Sequence, residues 1–104
     1  MSVLKREDLE RARDQRRDRE EATRALYKTA RWQRLRLVIF ARDLYTCQHT
    51  ECRKIEGNTS LLVCDHVEPH RGDVEKFWAG PFQTLCKGCH DSEKQRLERA
   101  LQGR

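Results

Sequence analysis

The chain has 104 residues, 37% of them hydrophobic and 38% charged, with a formal net charge of +5. That size allows at most one domain, and a core this small supplies only about 3–5 kcal/mol, so a bound metal is the expected staple. No apolar run approaches the roughly 20 residues that cross a bilayer, and the opening Met1-Ser2-Val3-Leu4-Lys5-Arg6 turns charged too soon for a secretory leader. The expectation is a reducing cytoplasm, without a membrane partner.

Residues 1–26 are dominated by Arg, Asp and Glu, with Leu4, Leu9, Ala12 and Ala22 too sparse to make an apolar face. They form either a solvated helix or an arm that orders on a partner, with Glu7–Arg11 and Glu20–Arg24 as supporting pairs at i,i+4. From about Leu26 to Arg42, Trp32, Leu35 and Val38 or Ile39 recur at helical spacing, which predicts an amphipathic helix on the core. Residues 1–42 carry 13 Lys/Arg against 7 Asp/Glu, whereas residues 43–104 carry 9 against 10. Such a basic flank suits a polyanion, with Arg31, Arg34 and Arg36 as phosphate contacts; a solvated face that binds nothing is the competing reading.

Tyr45-Thr46-Cys47 favours extended structure, Gly57-Asn58 marks a turn, and Leu61 to Cys64 reads as a short buried strand. Pro69 to Asp73 is a polar loop, Val74 to Trp78 one helical turn broken by Gly80-Pro81, and Phe82 to Leu85 a second extended segment. A terminal helix follows from about Cys89 to Leu101, with Leu97 and Leu101 on one face and Arg96 and Arg99 exposed. Phe77, Trp78 and Phe82 are assigned to the core.

Chemistry concentrates in the second half. Cys47-x4-Cys52 and Cys86-x2-Cys89 are two short-spaced pairs, the pattern of one closed tetrahedral zinc site. Cys64 is left over and reads as a small buried strand residue. Asp65, His66 and His90 are then surplus to the zinc site. A carboxylate and an imidazole suit a divalent ion with open water positions, and a second imidazole suits acid–base work near neutral pH. Plainer readings stand beside these: Asp65 capping a turn, His66 buried or joined to the zinc site, and His90 replacing a cysteine ligand.

These motifs, in this order, resemble the HNH endonucleases. The resemblance rests on Leu61-Leu62-Val63-Cys64-Asp65-His66, Pro69-His70-Arg71-Gly72-Asp73, Phe77-Trp78 and Phe82-Gln83-Thr84-Leu85-Cys86-Lys87-Gly88-Cys89-His90-Asp91-Ser92. It spans roughly residues 30–99 and is nearest to the small, free-standing phage or prophage members with four cysteines. It implies an α+β fold, a zinc-stabilised ββα-metal domain over residues 27–104 behind a helical basic extension over residues 1–26. It further implies DNA cleavage with His66 as general base, Asp65 and His90 holding Mg²⁺, Mn²⁺ or another divalent ion, and Cys47, Cys52, Cys86 and Cys89 holding structural Zn²⁺. Arg71, in the loop after His66, reads as a DNA phosphate contact, as support behind the metal ligands, or as a plain solvated loop residue, and a phage terminase or packaging protein is a partner that the resemblance implies. One position departs from the family pattern: the middle Asn, two residues before Gln83, is Pro81. A zinc-stabilised DNA-binding module without catalysis, associated with phage packaging, is the alternative that this departure raises.

Overall fold

The computed structural model describes residues 6–102, and side chains as far as Arg96. Helix α1 (Arg6–Leu26) runs through a segment free of Gly and Pro, with Glu7 and Asp8 in its first turn and Arg24 in its last, the polarity that suits the helix dipole. Its 21 residues extend about 31 Å, and Thr23 is its one buried residue. The ion pairs formed along it among the described residues are Arg6–Glu10 and Arg16–Glu20, not the two expected from orientation. Thr29 then caps α2 (Ala30–Arg42), its hydroxyl accepting the Trp32 N–H.

Helix α2 buries Trp32, Ile39 and Phe40, with Leu35 packed beside them, while Val38 is 63% exposed. The chain turns back through Leu44 and Tyr45, both at positive φ. An isolated bridge, Thr46 with Ile55, stands where an extended run was expected. A 3₁₀ turn at Thr59–Leu61, capped by Asn58, delivers the chain to β1 (Leu62–His66). The strand therefore begins one residue later than its composition suggested and runs two residues further, and Leu61 stays outside it, 43% exposed. Helix α3 (Val74–Ala79) is capped by Asp73, and strand β2 (Phe82–Cys86) pairs antiparallel with β1 in the register Leu62–Cys86 to His66–Phe82. Helix α4 (Lys87–Gln102) begins two residues before the expected start; the side chains of Leu97, Arg99 and Leu101 lie outside the described residues.

The fold is α+β: a two-stranded sheet with α2 on one face and α4 on the other. Strand alternation sends Leu62, Cys64 and His66 toward α2, where Trp32, Ile39, Phe40 and Phe77 complete the core. Val63 and Asp65 take the face toward α4. Asp43, at the end of α2, ties the layers together: its carboxylate accepts the Thr84 N–H of β2 at 2.9 Å and pairs with Arg42 at 3.0 Å. Burial alone would raise the Asp43 carboxyl, but the hydrogen bonds from Arg42 and Thr84 outweigh it and hold the group below its ordinary value.

Two glycines meet real constraints. Gly80 has φ +79°, and a Cβ there would come within 2.8 Å of the Phe82 ring, which closes the turn between α3 and β2. Gly72, also at φ +79°, lies against α1, where a Cβ would sit 3.2 Å from the Cβ of Arg19 and 3.3 Å from the backbone of Arg19 and Glu20. The His70–Asp73 loop is therefore seated directly on the last turns of α1.

Candidate metal centre and cleft

The sheet carries a different donor set at each end. At the Cys86 end, the sulfurs of Cys47, Cys52, Cys86 and Cys89 all lie within 4.8 Å of one another. A tetrahedron with metal–sulfur bonds of about 2.3 Å has edges of about 3.8 Å, and Cys52 Sγ stands 3.9 Å from Cys86 Sγ. The cysteines are free thiols rather than disulfides.

The local chain explains the convergence. The Cys47 N–H donates to the Lys54 carbonyl and the Cys52 N–H to that of His49, folding the first pair into a tight knuckle, with Arg53 at positive φ. The Gln48 N–H then donates to the Thr84 carbonyl at 2.8 Å, docking that knuckle on β2. Cys86 ends β2 and Cys89 sits in the first turn of α4.

The thiols titrate unevenly. Burial raises Cys47 and Cys89, while the Cys89 backbone N–H favours the thiolate of Cys86 and lowers it. Four thiolates packed this closely need a soft cation among them, and four sulfur donors suit zinc. His49 stays out of the cluster, its Nδ1 accepting the Glu51 N–H within the turn. Cys64 is 6% exposed in the core, and burial pushes its thiol up to about 12, so it stays an uncharged packing residue.

At the His66 end opens a cleft of about 730 Å³, lined among others by Tyr27, Asp65, His66, His70, Arg71 and His90. Asp65 and His90 face one another across it, with Oδ1 and Nε2 3.8 Å apart. That gap is too long for a hydrogen bond. Adjacent octahedral ligands about 2.1 Å from one ion lie about 3.0 Å apart, so the two side chains would have to close by about 0.8 Å to share a divalent cation. The amide of Gln83, opposite Asp65 in the register, donates to Oδ2 at 3.0 Å and fixes the carboxylate while leaving Oδ1 free. Neighbouring residues of α4 thus serve both ends: Cys89 joins the thiol cluster and His90 turns to Asp65.

His66 is held from the other side. Its ring stacks on Trp32, centroids 5.5 Å apart and planes 10° from parallel, and Nε2 lies 3.0 Å from the Phe77 carbonyl oxygen. A carbonyl only accepts, so Nε2 carries the proton and Nδ1 keeps its lone pair. Burial lowers the His66 pKa, opposed by the Phe77 hydrogen bond and reinforced by His70. The ring is therefore neutral near pH 7 and able to take a proton at Nδ1.

Pro81, at the position where an Asn was expected, follows a cis peptide bond, and its carbonyl accepts the Val67 N–H at 2.9 Å, carrying the ladder one step past His66.

The arginines divide. The guanidinium of Arg31 lies 3.8 Å over the Trp78 ring, Arg34 is exposed, and Arg71 lines the cleft at φ +51°. Arg36 turns inward, donating to the Thr59 carbonyl at 2.9 Å and covering the Phe40 ring. Within α1, seven Arg meet seven Asp/Glu, whereas residues 27–42 hold Lys28, Arg31, Arg34, Arg36 and Arg42 with no acid. The positive face is thus α2 and the turn before it, not the extension as a whole.

Tyr27 is the cleft residue that the sequence reading missed. Its hydroxyl meets His70 Nε2 at 3.2 Å across 43 positions of sequence, and no local pattern marks that pairing. The chain matches no family model, no curated protein and no solved structure.

Proposed function

We propose that the protein is a metal-dependent DNA endonuclease of the HNH type, stabilised by a structural zinc on Cys47, Cys52, Cys86 and Cys89. The observation that carries the reading is the pairing, in one open cleft, of a bare imidazole nitrogen on His66 with Asp65 and His90, a carboxylate and an imidazole 3.8 Å apart. A divalent ion held by Asp65 and His90 would supply positive charge for the non-bridging and leaving oxygens of a phosphodiester. His66 takes the proton of the attacking water at Nδ1; the Phe77 carbonyl fixes the tautomer, and the Trp32 face fixes the plane of the ring. Arg71 in the cleft and the acid-free run of Lys28, Arg31 and Arg34 supply charge for the DNA backbone.

A second reading, a zinc-stabilised DNA-binding module without catalysis, is favoured by Pro81 alone. Supercoiled plasmid separates the two. The expected result is nicked or linear product with Mg²⁺, Mn²⁺ or Ni²⁺, none with EDTA, and loss of product in His66→Ala. Binding without cutting under every ion would establish the module; full activity in His66→Ala would refute the role of the base.

A further inference from the structure

The hydrogen bonds around His70 settle where its protons are, and with them the direction of the Tyr27 hydroxyl. The Gly72 N–H donates to His70 Nδ1 at 3.1 Å, so Nδ1 carries no proton. A histidine ring bare at both nitrogens would be an imidazolate, so Nε2 holds the proton and donates it to the Tyr27 oxygen 3.2 Å away. Burial lowers the His70 pKa, in keeping with a neutral ring. Tyr27 therefore accepts from His70, and its own O–H is left to donate elsewhere.

The ring that carries this hydroxyl is fixed. It meets Trp32 edge to face at 5.0 Å and Phe77 at 4.9 Å, and stands 6.2 Å from His66, centroid to centroid. Tyr27 lines the same cleft as Asp65, His66, Arg71 and His90 and is 36% exposed. Burial and the nearby Asp65 carboxylate raise its pKa, so the proton stays on the oxygen.

We propose that Tyr27 is a catalytic residue of the nuclease reading, its O–H donating a hydrogen bond to a non-bridging oxygen of the phosphodiester being cut, with His70 the positioning residue that aims it. The cleft already contains a proton acceptor in His66 and a carboxylate–imidazole pair in Asp65 and His90. Tyr27 adds a neutral donor, which stabilises developing oxyanion charge without repelling the cation and needs no reorganisation as the charge appears. The loop that carries His70 is seated on α1 through Gly72, so the N-terminal helix holds this donor in place although it contributes none of the reacting groups.

The test uses full-length protein and a synthetic duplex spanning a bond that the wild type cuts, with a stereopure phosphorothioate of either configuration at that bond. Tyr27→Phe keeps the ring and its packing and removes the hydroxyl, both the donor toward the phosphate and the acceptor for the His70 Nε2–H. The expected result is a fall in cleavage of about 10²–10³-fold at saturating DNA, with the thermal transition and bound zinc unchanged. In the wild type, sulfur at the oxygen that Tyr27 contacts slows cleavage about tenfold, and excess Mn²⁺ does not restore it. In Tyr27→Phe that sulfur effect disappears, and in His70→Leu, where the hydroxyl is free to turn, it falls below the wild-type value. A wild type that cuts while Tyr27→Phe cuts equally well, or keeps the full sulfur effect, overturns the assignment and leaves the nuclease reading intact. A wild type that cuts with no divalent ion overturns both.

Discussion

The two ends of one two-stranded sheet, five residues to the strand, are built on opposite plans. The Cys86 end gathers four sulfurs from two knuckles, a full tetrahedral set, while the His66 end brings together one carboxylate and one imidazole, which on the proposed function would leave most of an ion's shell to solvent. A closed set of soft donors makes an ion part of the fold; an open pair of hard or borderline donors makes it a reagent. The difference also shows in the anchoring. The thiols are placed by local backbone hydrogen bonds, whereas each cleft side chain also leans on another side chain: Gln83 on Asp65, Trp32 on His66 beside the Phe77 carbonyl, Tyr27 on His70 beside the Gly72 N–H.

The sharpest way to break this contrast is to remove a sulfur. Cys47→Ser or Cys89→Ser should abolish the cooperative thermal transition, because zinc affinities of about 10–16 kcal/mol in small metal domains far exceed what so modest a core contributes. A cooperative melt that survives these substitutions and a chelator would show that the thiol cluster does not support the fold.

At the other end, the loss should be of rate and not of structure. His66→Gln keeps a side-chain N–H toward the Phe77 carbonyl but offers no imidazole. Under the proposed function, plasmid cleavage should fall by about 10²–10⁴-fold with zinc content unchanged. Asp65→Asn and His90→Ala should lose cleavage through weaker ion binding and regain part of it in excess Mn²⁺, measured by titrating the metal; equal rescue of His66→Gln would merge the two roles.

Asp43 tests the frame common to both ends. Asp43→Ala leaves the Thr84 N–H without its acceptor and should cost about 1–3 kcal/mol in urea unfolding. Because the folded carboxyl lies below its unfolded value of about 3.9, its contribution is present in full above that pH and is lost as pH falls through the folded value. The advantage of wild type over Asp43→Ala should therefore shrink in acid and stay constant near neutrality.

The smallest effect concerns charge. Arg34→Gln should reduce the salt slope of DNA binding by about 0.9 if that side chain meets a phosphate. Arg36→Gln should instead lower the melting temperature, since its guanidinium already serves Thr59 and Phe40.

What the sequence disclosed and what it withheld follow from the same physics. The paired cysteines were legible because each pair closes locally, so spacing alone sets its geometry. Asp65 and His66 were legible as neighbours on a strand, whose alternation sends them to opposite faces. The roles of Gln83 and Tyr27 were not, since each depends on a partner brought close only by register or by loop seating, 18 and 43 positions away. Arg36 misled for the related reason that charge says nothing of direction: on a short helix over a small core, its long side chain reached inward to a carbonyl and an aromatic face. Tyr45 read as the start of an extended segment but adopts positive φ, as does Leu44 before it, where the chain reverses and the Tyr45 carbonyl accepts the Glu56 N–H.

The adjacency of Cys89 and His90 on α4 links the making of the fold to the making of the cleft. Gathering the four sulfurs adds a tie at Cys89 to the packing of α4 on the sheet, and that tie steadies His90 opposite Asp65. On the proposed function, a chain still waiting for zinc arms its cutting site less firmly, and the cell is spared some of the harm of a half-made nuclease.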